Sequence, residues 1–194
     1  MFRPTCSVFV GMSLDGFIAG PGGALDWLKP FEGEEHGYQA FFDAVDAVVI
    51  GRGTYDVVLG FASWPYGKKR VFVLTHHPAT ARHGELFLGG APESVVARLA
   101  ADGVRRAYVD GGAVVSQFLA AGLVDDLTLT LVPVVLGDGI RLFQAPLPTR
   151  PFRLAGARTF PSGLVQVRYL AAGEARRARR KSPRVAGRRN ASAT

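Results

Sequence analysis

RRAYVDGGAVVSQFLAAGLVDDLTLTLVPVVL, residues 105–136, reads as strand, paired glycines, short helix and strand. Tyr108 and Val109 lead an apolar strand into Asp110-Gly111-Gly112, and a helix over 113–121 carries the chain back to a second apolar strand over 127–135. In outline this is a right-handed crossover unit, the connection that joins parallel strands. Two residues without a Cβ where a helix begins let backbone N–H groups approach a ligand closely, and unpaired amides there favour an anion. A phosphate is the natural guest. A tight strand-to-helix turn without a ligand explains the same glycines, so other segments must decide between the two.

Outward from this unit the elements alternate. Strands are expected over 7–12, 47–50, 70–75, 86–88, 106–110, 127–135, 152–160 and 164–170, and helices over 34–44, 54–59, 92–101 and 113–121. Pro161-Ser162-Gly163 is too short for a crossover, so the last strand runs antiparallel to its neighbour and the sheet is mixed. The expected architecture is an α/β three-layer sandwich with a mostly parallel sheet. No internal repeat or linker interrupts residues 1–173, which read as one domain.

Charge is distributed unevenly. Eight of the 23 Lys and Arg but only one of the 16 Asp and Glu lie from Glu174 onward, which leaves 15 of each sign in residues 1–173. The net charge of +7 therefore belongs to a segment, 174–194, too poor in large apolar residues to offset the entropy of ordering, and it is expected to be a disordered basic tail. Its contacts with nucleic acid would be weak, because no aromatic interleaving or base-reading motif accompanies the arginines. No apolar run is long enough to span a membrane and no export signal opens the chain, so a cytoplasmic protein is expected. The single cysteine, Cys6, reads as a structural thiol.

Four segments then converge. Ser13-Leu14-Asp15-Gly16-Phe17-Ile18-Ala19, Gly51-Arg52-Gly53-Thr54-Tyr55, Asp110-Gly111-Gly112, and Leu136-Gly137-Asp138-Gly139 with Leu142-Phe143 stand in the order and on the elements of the dihydrofolate reductase-like fold. Over about residues 5–171 the chain resembles, more narrowly, the C-terminal reductase domain of the bifunctional riboflavin-biosynthesis deaminase/reductase and its stand-alone relatives. The resemblance implies an NADPH-dependent oxidoreductase, with NADH as the alternative coenzyme, that transfers a hydride to a heterocyclic small molecule. Its nearest named role is 5-amino-6-(5-phosphoribosylamino)uracil reductase. Dihydrofolate reduction and a non-catalytic nucleotide-binding module are the alternatives. The family's habit of pairing subunits implies a homodimer.

The resemblance also assigns residues. Gly51, Arg52, Gly53 and Thr54 follow a buried strand, where amides, a hydroxyl and a planar cation can meet a pyrophosphate; a surface Arg and a capping Thr explain them as well. Thr75 and His76 fall near the expected adenosine ribose, and Asp110, Gly111, Gly112, Ala113 and Val114 form the second coenzyme turn. Ala19 belongs to a loop over the nicotinamide, with Asp15 and Trp27 as the catalytic candidates. An ordinary Asp-Gly turn explains Asp15 and Gly16 equally. In dihydrofolate reductases a carboxylate on the helix before the second strand holds the pterin, and Glu35 falls near that position. Phe41, Phe42, Trp27 and Trp64 are candidates for an apolar slot, with core packing as the other duty of the Phe pair. No metal site is expected: His76 and His77 point to opposite faces of a strand, and no third ligand is near in sequence.

Overall fold

The computed structural model describes residues 2–77 and 79–172; the basic segment expected from Glu174 onward lies outside the described residues. An eight-stranded sheet has the order β5-β4-β3-β6-β1-β7-β10-β9, where β1 is Thr5–Ser13, β3 Ala47–Gly51, β4 Arg70–Leu74, β5 Leu86–Leu88, β6 Arg106–Asp110, β7 Asp126–Val132, β9 Phe152–Thr159 and β10 Val165–Ala171. The first six strands of that order pair in parallel, and β10 is antiparallel to both β7 and β9. A two-stranded sheet of β2 (Phe17–Ala19) and β8 (Ile140–Arg141) lies apart from it.

Alternation along the strands builds the layers. In β3, Ala47 and Val49 enter one core with Val95, Leu99, Val115 and Phe118, while Val48 and Ile50 enter the other with Tyr55 and Val58. Successive strand side chains point to opposite faces. Helices α3 (Pro92–Ala101) and α4 (Gly112–Ala120) therefore cover one face, and α1 (Tyr38–Asp43) and α2 (Arg52–Val58) the other. This is the expected three-layer sandwich. Burial leaves no water to solvate the Cys6 thiol and pushes its pKa to about 12, which keeps it inert.

The unit that opened the sequence reading is built as expected at its turn, but its strands do not touch: β1 lies between β6 and β7, so the crossover passes over it. Two boundaries differ from expectation. Helix α1 starts at Tyr38 rather than at 34, because Gly37 holds φ 88 and Gly33 φ 93, which a continuous right-handed helix excludes. Strand β7 ends at Val132, one residue before Pro133, which has no N–H for the ladder. Among the described residues no helix is long and apolar enough to cross a membrane.

Candidate active site

Ligands of parallel sheets gather beyond the carboxyl ends of the strands, where the strand order reverses. Here β1 is that point, with β6 on one side and β7 on the other. The end of β1 and the end of β6 open on a cavity of about 370 Å³. Val10, Gly11 and Asp110 form its floor, Gly53, Thr54 and Val57 of α2 one side, and the rings of Phe9, Tyr38, Phe61, Tyr66 and Tyr108 another. Ile18, Ala19, Leu25 and Leu28 cover it together with Ile140.

The two glycine turns meet at its rim. Gly111 has φ 88, and a Cβ built there would overlap the Thr54 hydroxyl; a Cβ on Gly112 would overlap the carbonyl oxygen of Arg141. Glycine at both positions thus lets the first turn of α4 lie against the Gly53-Thr54 turn on one side and the β8 strand on the other. Among the described residues no side chain caps the N-terminus of α4. Its first amides, which have no intrahelical acceptor, are left for a ligand or water. Gly51 and Val114 lie beneath the rim: a Cβ on Gly51 would come within 3.1 Å of the Val114 side chain, which is buried.

Asp110 is the one carboxyl in the cavity wall among the described residues. Burial raises its pKa, and the hydrogen bond from the Gly111 N–H opposes the rise without cancelling it. The phenols around it stay protonated: burial, and then the charge of Asp110, pushes Tyr38 up to about 12 and raises Tyr66 and Tyr108 further. Tyr108 donates to the Phe9 carbonyl at 2.9 Å. The result is a mostly apolar chamber with one carboxyl inclined to hold its proton, flanked by neutral hydroxyls.

The cover is stitched to the sheet by Asp15. Its carboxylate accepts from Ser13 Oγ at 2.6 Å, from the N–H of Gly137 at 2.7 Å and from that of Leu136 at 3.1 Å. Arg141 donates to the Asp15 carbonyl and stacks on Phe17, its Cζ 4.4 Å from the ring centre. Asp15 therefore does not line the cavity; it fixes the loops that do. The Ser13 hydroxyl first, and then the Gly137 and Leu136 amides, hold its pKa at about 2. Because this lies below the roughly 3.9 of an unfolded Asp, the stabilisation is present above about pH 4 and is lost as pH falls towards 2. The expected result is that wild type melts above Asp15→Asn at pH 6 and that the gap closes by about pH 2. A gap that is constant with pH would remove the ionised carboxylate from this account.

The remaining sequence candidates separate cleanly. Ala19, Gly53, Thr54, Asp110, Gly111 and Gly112 line the cavity; Asp15, Trp27, Gly51, Arg52, Thr75, His76, Ala113 and Val114 do not. The Arg52 guanidinium is turned to Asp56, with Nε 2.8 Å from Oδ1, and donates to the His77 carbonyl. Thr75 Oγ1 accepts from the His77 N–H at 3.1 Å, and His76 is exposed. Trp27 sits in a 3₁₀ turn, Asp26–Phe31, with its buried indole N–H unpartnered among the described residues. Phe41, Phe42 and Trp64 do not line the cavity and pack against other rings: Phe41 on Tyr108, Phe42 on Tyr38, Trp64 on His83. Glu35 is exposed and its carboxylate accepts from the Gly37 N–H, so the carboxyl that faces the cavity comes from β6 instead. His36 and the wall residues Phe9, Tyr38, Phe61, Tyr66 and Tyr108 were not anticipated. Phe9 and Tyr108 share one face of adjacent strands, and the alternation that puts Cys6 and Val8 in the opposite core carries that signal.

A mixed sheet with its cavity at the parallel carboxyl ends, beside an uncapped helix, defines an α/β domain of the dihydrofolate reductase-like class. The chain belongs to the RibD C-terminal domain family, whose model matches residues 4–166. It is 35% identical over 169 residues to the uncharacterized protein YwjB of Bacillus subtilis (strain 168), covering 85% of this chain and 97% of that one. A crystal structure of a Shewanella sp. PV-4 protein named for riboflavin biosynthesis superposes with TM-score 0.80 at 33% identity, covering 86% of this chain and 98% of the other. Dihydrofolate reductase from Enterococcus faecalis, solved with NADP(H), gives TM-score 0.65 at 16% identity over 88% of this chain and 99% of its own, a likeness of fold.

Proposed function

We propose that this protein is an NAD(P)H-dependent reductase that transfers a hydride to a heterocyclic small molecule, the named role nearest to it being the uracil reductase step of riboflavin biosynthesis. The observation that carries this reading is the contact between the two glycine turns at the mouth of an apolar cavity: uncapped α4 amides and the Thr54 hydroxyl converge on one rim, and the space beside Gly53 is open. A dinucleotide diphosphate suits that rim, because amide donors and a helix N-terminus favour negative charge. A reduced nicotinamide, when bound, supplies the hydride.

The chain's own residues do the rest. The α4 amides and Thr54 hold the diphosphate, and the cover around Ala19 and Ile140 excludes water. The aromatic wall seats the ring, and the Asp110 carboxyl gives its proton to the atom next to the carbon that accepts the hydride, to be reprotonated from solvent. Asp15 acts as a positioning residue through the Leu136-Gly137 loop. Dihydrofolate reduction is the less favoured substrate reading, since Glu35 faces solvent. A homodimer in the cytoplasm completes the proposal; β9 ends the sheet as an edge strand with Leu154 52% exposed, a surface a second copy can cover.

Titration of the full chain with NADPH and NADH, followed by coenzyme oxidation over a panel of pyrimidines and pterins, tests the reading. Coenzyme binding in the micromolar range with turnover of at least one heterocycle is the expected result. Binding without turnover of any ring would favour a non-catalytic nucleotide module, and no binding at millimolar coenzyme would end the redox assignment.

A further inference from the structure

The charges around the cavity are as informative as its shape. Among the described residues that line it there is no Lys or Arg; the carboxyl of Asp110 and the imidazole of His36, whose Nδ1 lies 2.8 Å from the Glu34 carbonyl oxygen, are its ionisable groups besides the tyrosines. Three basic side chains close in sequence to the walls are committed elsewhere: Arg52 to Asp56, Lys29 to Asp26, and Arg141 to Phe17 and the Asp15 carbonyl. A second cleft, between α1 and the β9–β10 pair, holds Arg106, Arg158 and Arg168 and shares only Phe9 and His36 with the cavity. Arg106 and Arg168 there face the buried Asp126, at 3.6 and 3.9 Å.

A phosphate monoester carries close to two negative charges at neutral pH. Moving it from water into a chamber walled by Phe9, Phe61 and three tyrosines, with a carboxyl, a single His and no Lys or Arg, leaves it without the fixed positive charge that would offset its desolvation. A flat ring loses nothing of the kind: the phenyl and phenol faces meet its plane, while Asp110 and the Tyr38 and Tyr66 hydroxyls can pair with ring N–H and carbonyl groups. We infer that the substrate of this cavity is an uncharged, planar nitrogen heterocycle without a phosphate ester, and that the α4 rim is reserved for the coenzyme's diphosphate. The inference rests on the reductase reading above and narrows it, because the phosphoribosyl arm of the nearest named substrate meets no Lys or Arg inside this cavity.

Matched pairs differing by a phosphate test it: neopterin against neopterin monophosphate, and uridine against uridine 5′-monophosphate, each titrated into the full chain with and without saturating NADPH. Pterin polarisation and quenching of the protein's aromatic emission report binding. The expected result is that the neutral member of each pair binds at least about tenfold tighter. Equal or tighter binding of the phosphorylated member, or no binding of the neutral members at millimolar concentration, overturns the inference. The NADPH titration in the same series reports on the reductase reading separately, so a protein that binds coenzyme and prefers the phosphate ester would fail here and not there.

Discussion

Replacing Asp110 by Asn is expected to lower turnover by about 10² to 10⁴, the usual contribution of a positioned acid, while raising the thermal stability of the unliganded protein. Both effects have one origin. Burial disfavours the ionised carboxylate, so the folded pKa is raised above the unfolded one. The sign for stability follows from linkage: below the unfolded value near 3.9 both states are protonated, and as pH rises from there through the folded value the unfolded state ionises more readily and stability declines. At neutral pH that loss persists, and the Asn variant escapes it while its side-chain oxygen can still accept the Gly111 N–H. Melting curves between pH 4 and 8 should therefore show wild type falling relative to Asp110→Asn. Turnover of the wild type should decline on the basic side as Asp110 loses its proton, and that limb should vanish from the residual activity of the variant. An acid-side limb in its place would make Asp110 an acceptor that holds a ring N–H rather than a proton donor.

The turns around Asp110 were legible because local chemistry dictates them. Gly111 has to occupy φ 88 at the start of α4, and Gly103 and Gly163 likewise mark ends of elements at φ 76 and 89, so each shows in sequence as a break in an apolar pattern. Strand β3 was legible for a similar reason, since four apolar residues feed two cores by simple alternation. Strands β2 and β8 were not, having three and two residues, too few to display a period. The late start of α1 was readable in principle from Gly33 and Gly37, but the acidic residues between them resemble a helix start and outweighed the glycines.

Side-chain roles were less legible than elements, because they depend on partners far along the chain. Asp15 accepts from Gly137, 122 residues away, and no local pattern distinguishes that clamp from a catalytic acid. The commitment of Arg52 was nearer to hand: Asp56 lies four residues on along the same helix, a spacing that brings opposite charges together. The aromatic wall was not legible from ring content, because the rings that line the cavity and those packed behind them touch one another. Phe42 stacks on Tyr38, Phe41 meets Tyr108 edge-on and Trp64 meets Tyr66 edge-on, so each of the three lies behind a ring that lines the cavity.

Glycines at the rim can be separated into those that hold the protein together and those that leave room for a guest. A methyl on Gly112 meets the backbone of Arg141 and lies 2.8 Å from Gln144 Nε2, so β8 must move; Gly112→Ala is expected to cost about 1–3 kcal/mol, a fall in Tm of about 2–4 °C for each. Because β8 carries Ile140 of the cover, coenzyme binding should weaken with it. Gly53 is the opposite case. A Cβ there has nothing within 4 Å, and the residue lies inside α2, where Ala is better than Gly by about 0.5–1 kcal/mol. Gly53→Ala should therefore hold or raise Tm yet weaken NADPH binding at least about tenfold if the diphosphate occupies that space, since the methyl would take the position of closest approach. Calorimetric titration of both variants, alongside their melting curves, distinguishes the two effects. Stability and affinity falling together at Gly112, and moving in opposite directions at Gly53, is the pattern that only a ligand on the cavity side of α2 produces; unchanged affinity in Gly53→Ala would place the coenzyme elsewhere.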